Sequence, residues 1–104
     1  MKKVLFLMII VSVSFPVLAS ADRAVIVMSG CGDYFIANGP NGYYLLEWYG
    51  GYDPDEGDII IGNIGTYGFK NVYYLNRRTE GRVYVEDYLL SWEDALEQYY
   101  ENCD

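Results

Sequence analysis

The chain has 104 residues, no histidine, and seven basic against fifteen acidic side chains, a formal charge of −8. This length suits a single domain, and the negative charge excludes nucleic acid and anionic membranes as partners because both would repel it. Without histidine the chain lacks the commonest general base and metal ligand, which removes most hydrolase mechanisms.

Residues 1–21 have the three parts of a bacterial secretory signal peptide: a positive start with two lysines, an apolar stretch, and small side chains at Ala19 and Ala21. The apolar stretch is shorter than the about 20 residues of a spanning helix. We therefore expect cleavage before Asp22 and a periplasmic or secreted protein with no membrane contact after cleavage. The mature chain, residues 22–104, would be one small β-rich domain with five basic and fifteen acidic side chains, a formal charge of −10.

The mature chain contains two cysteines, Cys31 and Cys103. In an oxidising compartment such a pair predicts a disulfide rather than a metal or redox site. Residues 28–31 resemble a lipobox, but Asp22 and Arg23 interrupt the apolar run that should precede it, and lipidation would leave Cys103 without a partner. A disulfide that closes a loop of about 70 residues adds about 4 kcal/mol in the chain-entropy model, which a domain of this size needs.

The elements that follow are short and separated by glycine-rich turns. Alternation of apolar and polar residues predicts strands, and the Asn-Gly steps of residues 38–42 predict a tight hairpin. Three consecutive isoleucines, Ile59 to Ile61, suit a strand that is buried on both sides or that closes a barrel. The expected strands cover residues 23–28, 33–37, 43–49, 58–63, 69–75 and 82–88.

The strand faces follow from the same alternation. Tyr44, Leu46 and Trp48 should face the core, with Tyr43, Leu45, Glu47 and Tyr49 on the opposite side. Val83 and Val85 should point inward, and the intervening positions should point outward: Arg82, Tyr84, Glu86 and Tyr88.

The pattern changes to helical spacing after Ser91, which with Asp94 resembles a capping box. A helix over residues 92–101 should dock on the sheet through an apolar stripe that continues to Cys103. The stripe consists of Trp92, Ala95, Leu96, Tyr99 and Tyr100.

These elements indicate a mainly β fold: a small, partly open antiparallel barrel of the OB or SH3-like kind, with five or six short strands, one C-terminal helix and one disulfide. Residues 56–64 have the Gly-Asp-apolar opening common in such barrels, without being specific to any family.

Little catalytic chemistry is available. Glu47 and Glu86 form the best carboxylate pair for a glycosidase, although both are also expected on solvated outward faces. The acidic turn at residues 53–58 invites a calcium interpretation, but Gly57 falls one position short of the EF-hand glycine and Ile64 stands where a bidentate glutamate is needed. We therefore predict no catalytic residue, no metal and no cofactor.

Tyrosines provide the remaining candidate site. Tyrosine is enriched at binding surfaces because it offers a large contact area and a hydrogen-bonding tip, and it also suits half-buried strands. The candidate binding residues are Tyr49, Tyr52, Tyr84, Tyr88, Glu47 and Glu86.

The sequence leaves three functions open. The first is a non-enzymatic module that binds a cationic envelope protein, a profile shared with periplasmic inhibitors of basic lytic enzymes, although no inhibitor motif is present. The second is an SH3-like module that binds glycan or peptidoglycan by stacking. The third is a small glycoside hydrolase that uses Glu47 and Glu86.

Overall fold

The computed structural model describes residues 21–103. The predicted signal peptide lies outside the described residues except for Ala21. Within residues 21–103, no helix combines the length and the apolar character needed to cross a membrane. The elements are β1 (Asp22–Cys31), β2 (Tyr34–Gly39), β3 (Gly42–Gly51), β4 (Ile59–Gly62), β5 (Gly68–Tyr74), β6 (Thr79–Leu90) and α1 (Trp92–Asn102).

The six strands form a closed antiparallel barrel in the order β1-β2-β3-β6-β5-β4. The mainly β fold, the terminal helix and the disulfide are confirmed, and the barrel is closed where the sequence suggested a partly open one. Closure depends on β1, whose first half pairs with β4 from Asp22 to Val25 and whose second half pairs with β2 up to Cys31. Two register shifts in the second half bend the strand between its two partners.

The barrel interior is filled by side chains from alternate strand positions. Tyr44, Leu46, Val83 and Val85 are buried there as the alternation predicted, and Trp48 packs against them half-buried. β4 occupies the barrel closure, with only Ile60 of its isoleucines fully buried. The remaining members of the interior cluster are Ala24, Ile26, Phe35, Ala37, Ile64, Val72 and Tyr74.

A second cluster lies outside the barrel, where α1 covers β2 and β3. Ile36 and Leu45 point out of the barrel and are buried against Ala95 and Tyr99 of the helix. We call these four residues the helix-covered face. The burial of an outward-pointing leucine in β3 is thus due to the helix, not to the barrel.

Both ends of the helix are fixed. The Ser91 hydroxyl accepts a hydrogen bond from the Asp94 amide at 3.1 Å, which is the N-cap that the sequence indicated. At the other end Cys103 is disulfide-bonded to Cys31, with the two Cα atoms 5.1 Å apart. The sulfur of Cys31 is therefore part of the disulfide that ties the end of α1 to β1.

Two aromatic residues of the predicted helix stripe dock less than expected. Trp92 remains 39% exposed beside Tyr43, and Tyr100 is 61% exposed. Successive helical residues are about 100° apart, so a stripe centred on Ala95 and Tyr99 leaves Tyr100 outside its margin.

Two glycines allow the backbones of β3 and β6 to approach each other closely at one end of the barrel. Gly51 has φ +73°, and a Cβ there would lie 2.8 Å from the Cα of Gly81. A Cβ on Gly81 would in turn lie 2.8 Å from the Tyr74 ring. Only glycine satisfies both restrictions, so the pair sets how tightly this end of the barrel closes.

Candidate binding site: an aromatic-acidic face of the barrel

A row of aromatic and acidic side chains crosses the outer surface of four strands beside α1. The strand register places Tyr34 opposite Glu47, Glu47 opposite Tyr84, and Tyr84 opposite Phe69. Directly opposed residues of antiparallel strands project to the same side, so these four side chains form one cross-strand row. We define the aromatic-acidic face as Tyr34, Glu47, Tyr49, Phe69, Arg82, Tyr84 and Glu86.

The aromatic half of this face is a cluster of three rings. The centre of the Phe69 ring lies 4.8 Å from the ring centres of both Tyr49 and Tyr84, and the rings of each pair meet edge to face. Tyr49 and Phe69 are 50% and 49% exposed. The Arg82 guanidinium lies 5.2 Å from the centre of the Phe69 ring and donates a hydrogen bond to Asn71. The cluster therefore presents ring surface to solvent in a fixed arrangement.

The acidic half centres on the Tyr34 hydroxyl. Burial, together with the nearby carboxylates of Glu47 and Glu86, raises the pKa of Tyr34 to about 12. Burial also raises the pKa of Glu47; its hydrogen bond with Tyr34 opposes this rise, and the charges of Glu86 and Asp33 add to it. Within residues 21–103 none of these three carboxylates forms an ion pair with lysine or arginine. The acidic half therefore has a negative charge that is not neutralised locally.

A small concavity of about 130 Å³ adjoins the Tyr34 end of the face. It lies between the β1–β2 turn and the loop after β3. Asp33, Asp53 and Asp55 contribute to its lining together with Tyr34 and Pro54. The negative surface thus continues beyond the strands into a recess of about the size of one side chain.

Four of the six predicted site residues lie on this face: Tyr49, Tyr84, Glu47 and Glu86. Tyr52 does not, because it packs against the barrel interior and its hydroxyl donates a hydrogen bond to Asp58 at 2.6 Å. Tyr88 does not either, and its expected outward direction is wrong. β6 has an extra residue where Leu45 pairs with Asp87 and Leu46 with Val85, so the alternation reverses and Tyr88 packs against the interior.

Sequence reasoning missed Tyr34, Phe69 and Arg82. The outward position of Phe69 follows from the alternation within β5, where Val72 and Tyr74 are buried. What unites these residues with Glu47 is the pairing of β6 with both β3 and β5. That pairing joins strands distant along the chain, and no local pattern encodes it.

The acidic turn considered for calcium is organised by Asp58, which is buried. Its carboxylate accepts hydrogen bonds from the Asp55 amide, the Tyr52 hydroxyl, the Asn76 amide and the Arg77 guanidinium at 2.6 to 3.0 Å. Burial alone would raise the pKa of Asp58, but these four donors outweigh it and hold the pKa far below its usual value. The carboxylate therefore fixes the loop to the β5–β6 turn.

Among the described residues no three His, Cys, Asp or Glu side chains converge in a way that could hold a metal ion. Comparison of the chain with family models, with curated proteins and with solved structures gave no match.

Proposed function

We propose that this chain is an exported, non-enzymatic binding protein whose aromatic-acidic face engages a cationic protein of the cell envelope. The observation that carries the proposal is the meeting of exposed rings with carboxylates that lack a basic partner among the described residues. Rigid aromatic residues provide contact area at low entropic cost, and unneutralised carboxylates select for basic side chains.

The Arg82–Phe69 contact supports this choice of partner. A guanidinium already lies over an exposed ring of the face at 5.2 Å, which is the geometry of a cation–π interaction. Arginine side chains of a partner would find the same combination of ring surface and carboxylate at Tyr49, Tyr84 and Glu47. The acidic recess beside Tyr34 offers a place for one further basic side chain.

The charge of the chain supports the same class of partner. A formal charge of −10 over residues 22–104 favours encounter with a basic surface and makes the association rate fall as salt is added. The predicted signal peptide would place the domain in the compartment where such a partner is met, the periplasm or the extracellular space.

The test is site-specific photo-crosslinking in the envelope, with the crosslinker at Tyr49 and a control crosslinker at Glu97 on the exposed side of α1. We expect the Tyr49 position alone to capture a basic protein. Binding of that protein, measured after purification, should weaken at least about tenfold between low and physiological salt.

The matched variants are Glu47→Gln with Glu86→Gln, and Glu93→Gln with Glu97→Gln, which change the net charge equally. Only the first pair should weaken binding by a further about tenfold, as expected for carboxylates at the interface. Equal effects of both pairs would reduce the interaction to general charge attraction. Salt-tolerant retention on peptidoglycan would favour the glycan-binding alternative, and sugar hydrolysis lost in Glu86→Gln would favour the hydrolase.

A further inference from the structure

The outer surface of β1, β4 and β5 carries apolar side chains that no described element covers. Ile60 points into the barrel, so its neighbours Ile59 and Ile61 point outward, and neither belongs to the two buried clusters. Val25 is 42% exposed, and Tyr73 and Leu75 are each 38% exposed. We define the open apolar face as Val25, Ile59, Ile61, Tyr73 and Leu75.

The strand register arranges this face in two rows. In the first row Val25 pairs with Ile59, and the Leu75 amide donates a hydrogen bond to the Ile59 carbonyl at 2.8 Å. The second row runs across four strands, from Arg23 through Ile61 and Tyr73 to Glu80. It therefore has a basic residue at one end, apolar residues in the middle and an acidic residue at the other end. Both charged residues are exposed, and within residues 21–103 neither forms an ion pair.

We infer that the open apolar face binds a second copy of this chain. A twofold axis that lies in the plane of the interface, perpendicular to the row, reverses the row in the partner. Arg23 then meets Glu80 of the partner subunit, Glu80 meets the partner's Arg23, and the isoleucine and tyrosine side chains pack between the two ion pairs. A surface whose charges complement themselves in this way is what an isologous dimer interface requires.

The charge distribution favours a second copy over another occupant. The chain is strongly acidic, so most of its surface repels another copy. The row from Arg23 to Glu80 is neutral overall, and the turn after β5 adds Arg78, which forms no ion pair among residues 21–103. A basic partner would gain no net attraction from this row, whereas two copies meet on it with opposite charges facing each other.

The size of the face sets the expected strength of association. Three strands with five partly exposed apolar side chains form a small interface, at the lower end of the areas seen in specific complexes. We therefore expect a reversible, concentration-dependent dimer. This dimer does not rest on the proposed function, because the two faces share no residue.

Analytical ultracentrifugation of the exported protein tests the inference. The average mass should rise from that of one chain towards twice that value between about 1 μM and about 1 mM protein, the range of weak specific interfaces. Added salt should strengthen the association, because it screens the repulsion between two acidic chains, while it weakens binding of a cationic partner at the other face. A chain that remains monomeric throughout this range overturns the inference.

Charge-reversal variants test the pairing itself. Arg23→Glu and Glu80→Arg should each raise the dissociation constant at least about tenfold, because each places like charges opposite one another. An equimolar mixture of the two single variants, or the combined variant R23E/E80R, should restore association, since opposite charges again meet and the net repulsion is nearly unchanged.

Two further variants complete the design. Ile61→Asp should abolish association by placing carboxylates in the apolar centre, whereas Glu97→Arg on the exposed side of α1 should leave it intact. Association that survives Ile61→Asp, or that R23E/E80R does not restore in a folded protein, assigns the contact to another surface and overturns the inference.

Discussion

The helix-covered face and the open apolar face both carry apolar side chains on the outside of the barrel, and they differ in how far those side chains are buried. In β2 and β3 the outward residues Ile36 and Leu45 are fully buried, because α1 returns over them. In β4 the outward residues Ile59 and Ile61 remain half-buried and have no covering element in the described chain. The same kind of outward apolar residue is therefore buried by the chain's own helix on one side of the barrel and left partly exposed on the other.

The largest expected effect is on the helix-covered face. Replacing both cysteines, Cys31→Ser with Cys103→Ser, should lower the free energy of unfolding by about 4 kcal/mol, because the unfolded chain regains the entropy of a long loop. Urea unfolding measures this loss. Binding of a hydrophobic dye should rise, because Ile36 and Leu45 become exposed when the end of α1 detaches from the sheet. A reduced protein that melts within a few degrees of the oxidised one would show that the helix docks without the disulfide.

A matched pair of truncations compares the two faces directly. Leu45→Ala should destabilise the monomer by about 2–5 kcal/mol, because it opens a cavity beneath α1. Ile61→Ala removes a similar apolar volume from a half-exposed position and should cost about 1 kcal/mol or less at concentrations where the chain is monomeric. Chemical denaturation with equal m-values for both variants provides the comparison. Equal losses in the free energy of unfolding would mean that the outer side of β4 is as well covered as that of β3.

Acid should destabilise the loop before β4 more than the helix-covered face. The helix-covered side is held by a disulfide, which does not titrate, whereas the loop before β4 is held by Asp58. The pKa of Asp58 is lower in the folded than in the unfolded chain, so the carboxylate stabilises fully above about pH 4 and its contribution is lost as the pH falls.

Asp58→Asn should cost about 1–3 kcal/mol at neutral pH, since hydrogen bonds from Tyr52 and Arg77 lose their charged acceptor. Its stability should then vary less than that of the unmodified protein between about pH 4 and 2. Urea midpoints measured across this range test the prediction. Parallel pH profiles for the two proteins would assign acid sensitivity to other carboxylates.

The smallest effects concern two tyrosines inside the barrel, Tyr74 of β5 and Tyr44 of β3. The Tyr74 hydroxyl is buried and has no hydrogen-bond partner in the described residues, so Tyr74→Phe should raise stability by about 1 kcal/mol or leave it unchanged. The Tyr44 hydroxyl donates to Asp22 at 3.3 Å, and Tyr44→Phe should lower stability by up to about 1 kcal/mol. Thermal melts of both variants decide the signs, and a clear loss in Tyr74→Phe would reveal a partner for that hydroxyl.

Local patterns in the sequence were sufficient for the elements themselves. Alternation assigned Val83 and Val85 to the interior, and the change to helical spacing after Ser91 located α1. Both are short-range signals, because they depend on which side of one strand or helix must be apolar. The disulfide followed from the number of cysteines and the size of the domain.

Long-range pairing could not be predicted from the sequence. The β6 bulge reverses the direction of Tyr88, and its extra residue is defined only by the pairing of β6 with β3. The role of Asp58 depends on donors from two segments: Tyr52 lies in the same loop, whereas Asn76 and Arg77 follow β5. In the sequence this residue is one carboxylate among several in an acidic turn, and only the fold distinguishes it.

The disulfide has a consequence for the integrity of the molecule after cleavage by a protease. It closes a covalent ring that begins at Cys31 and contains five strands and the helix, while β1 leads into the ring. A single cut in the exposed loop between β3 and β4 opens this ring without releasing a fragment, and strand pairing keeps the new ends close together. A second cut within the ring, or reduction of the bond, is needed before any part of it can leave.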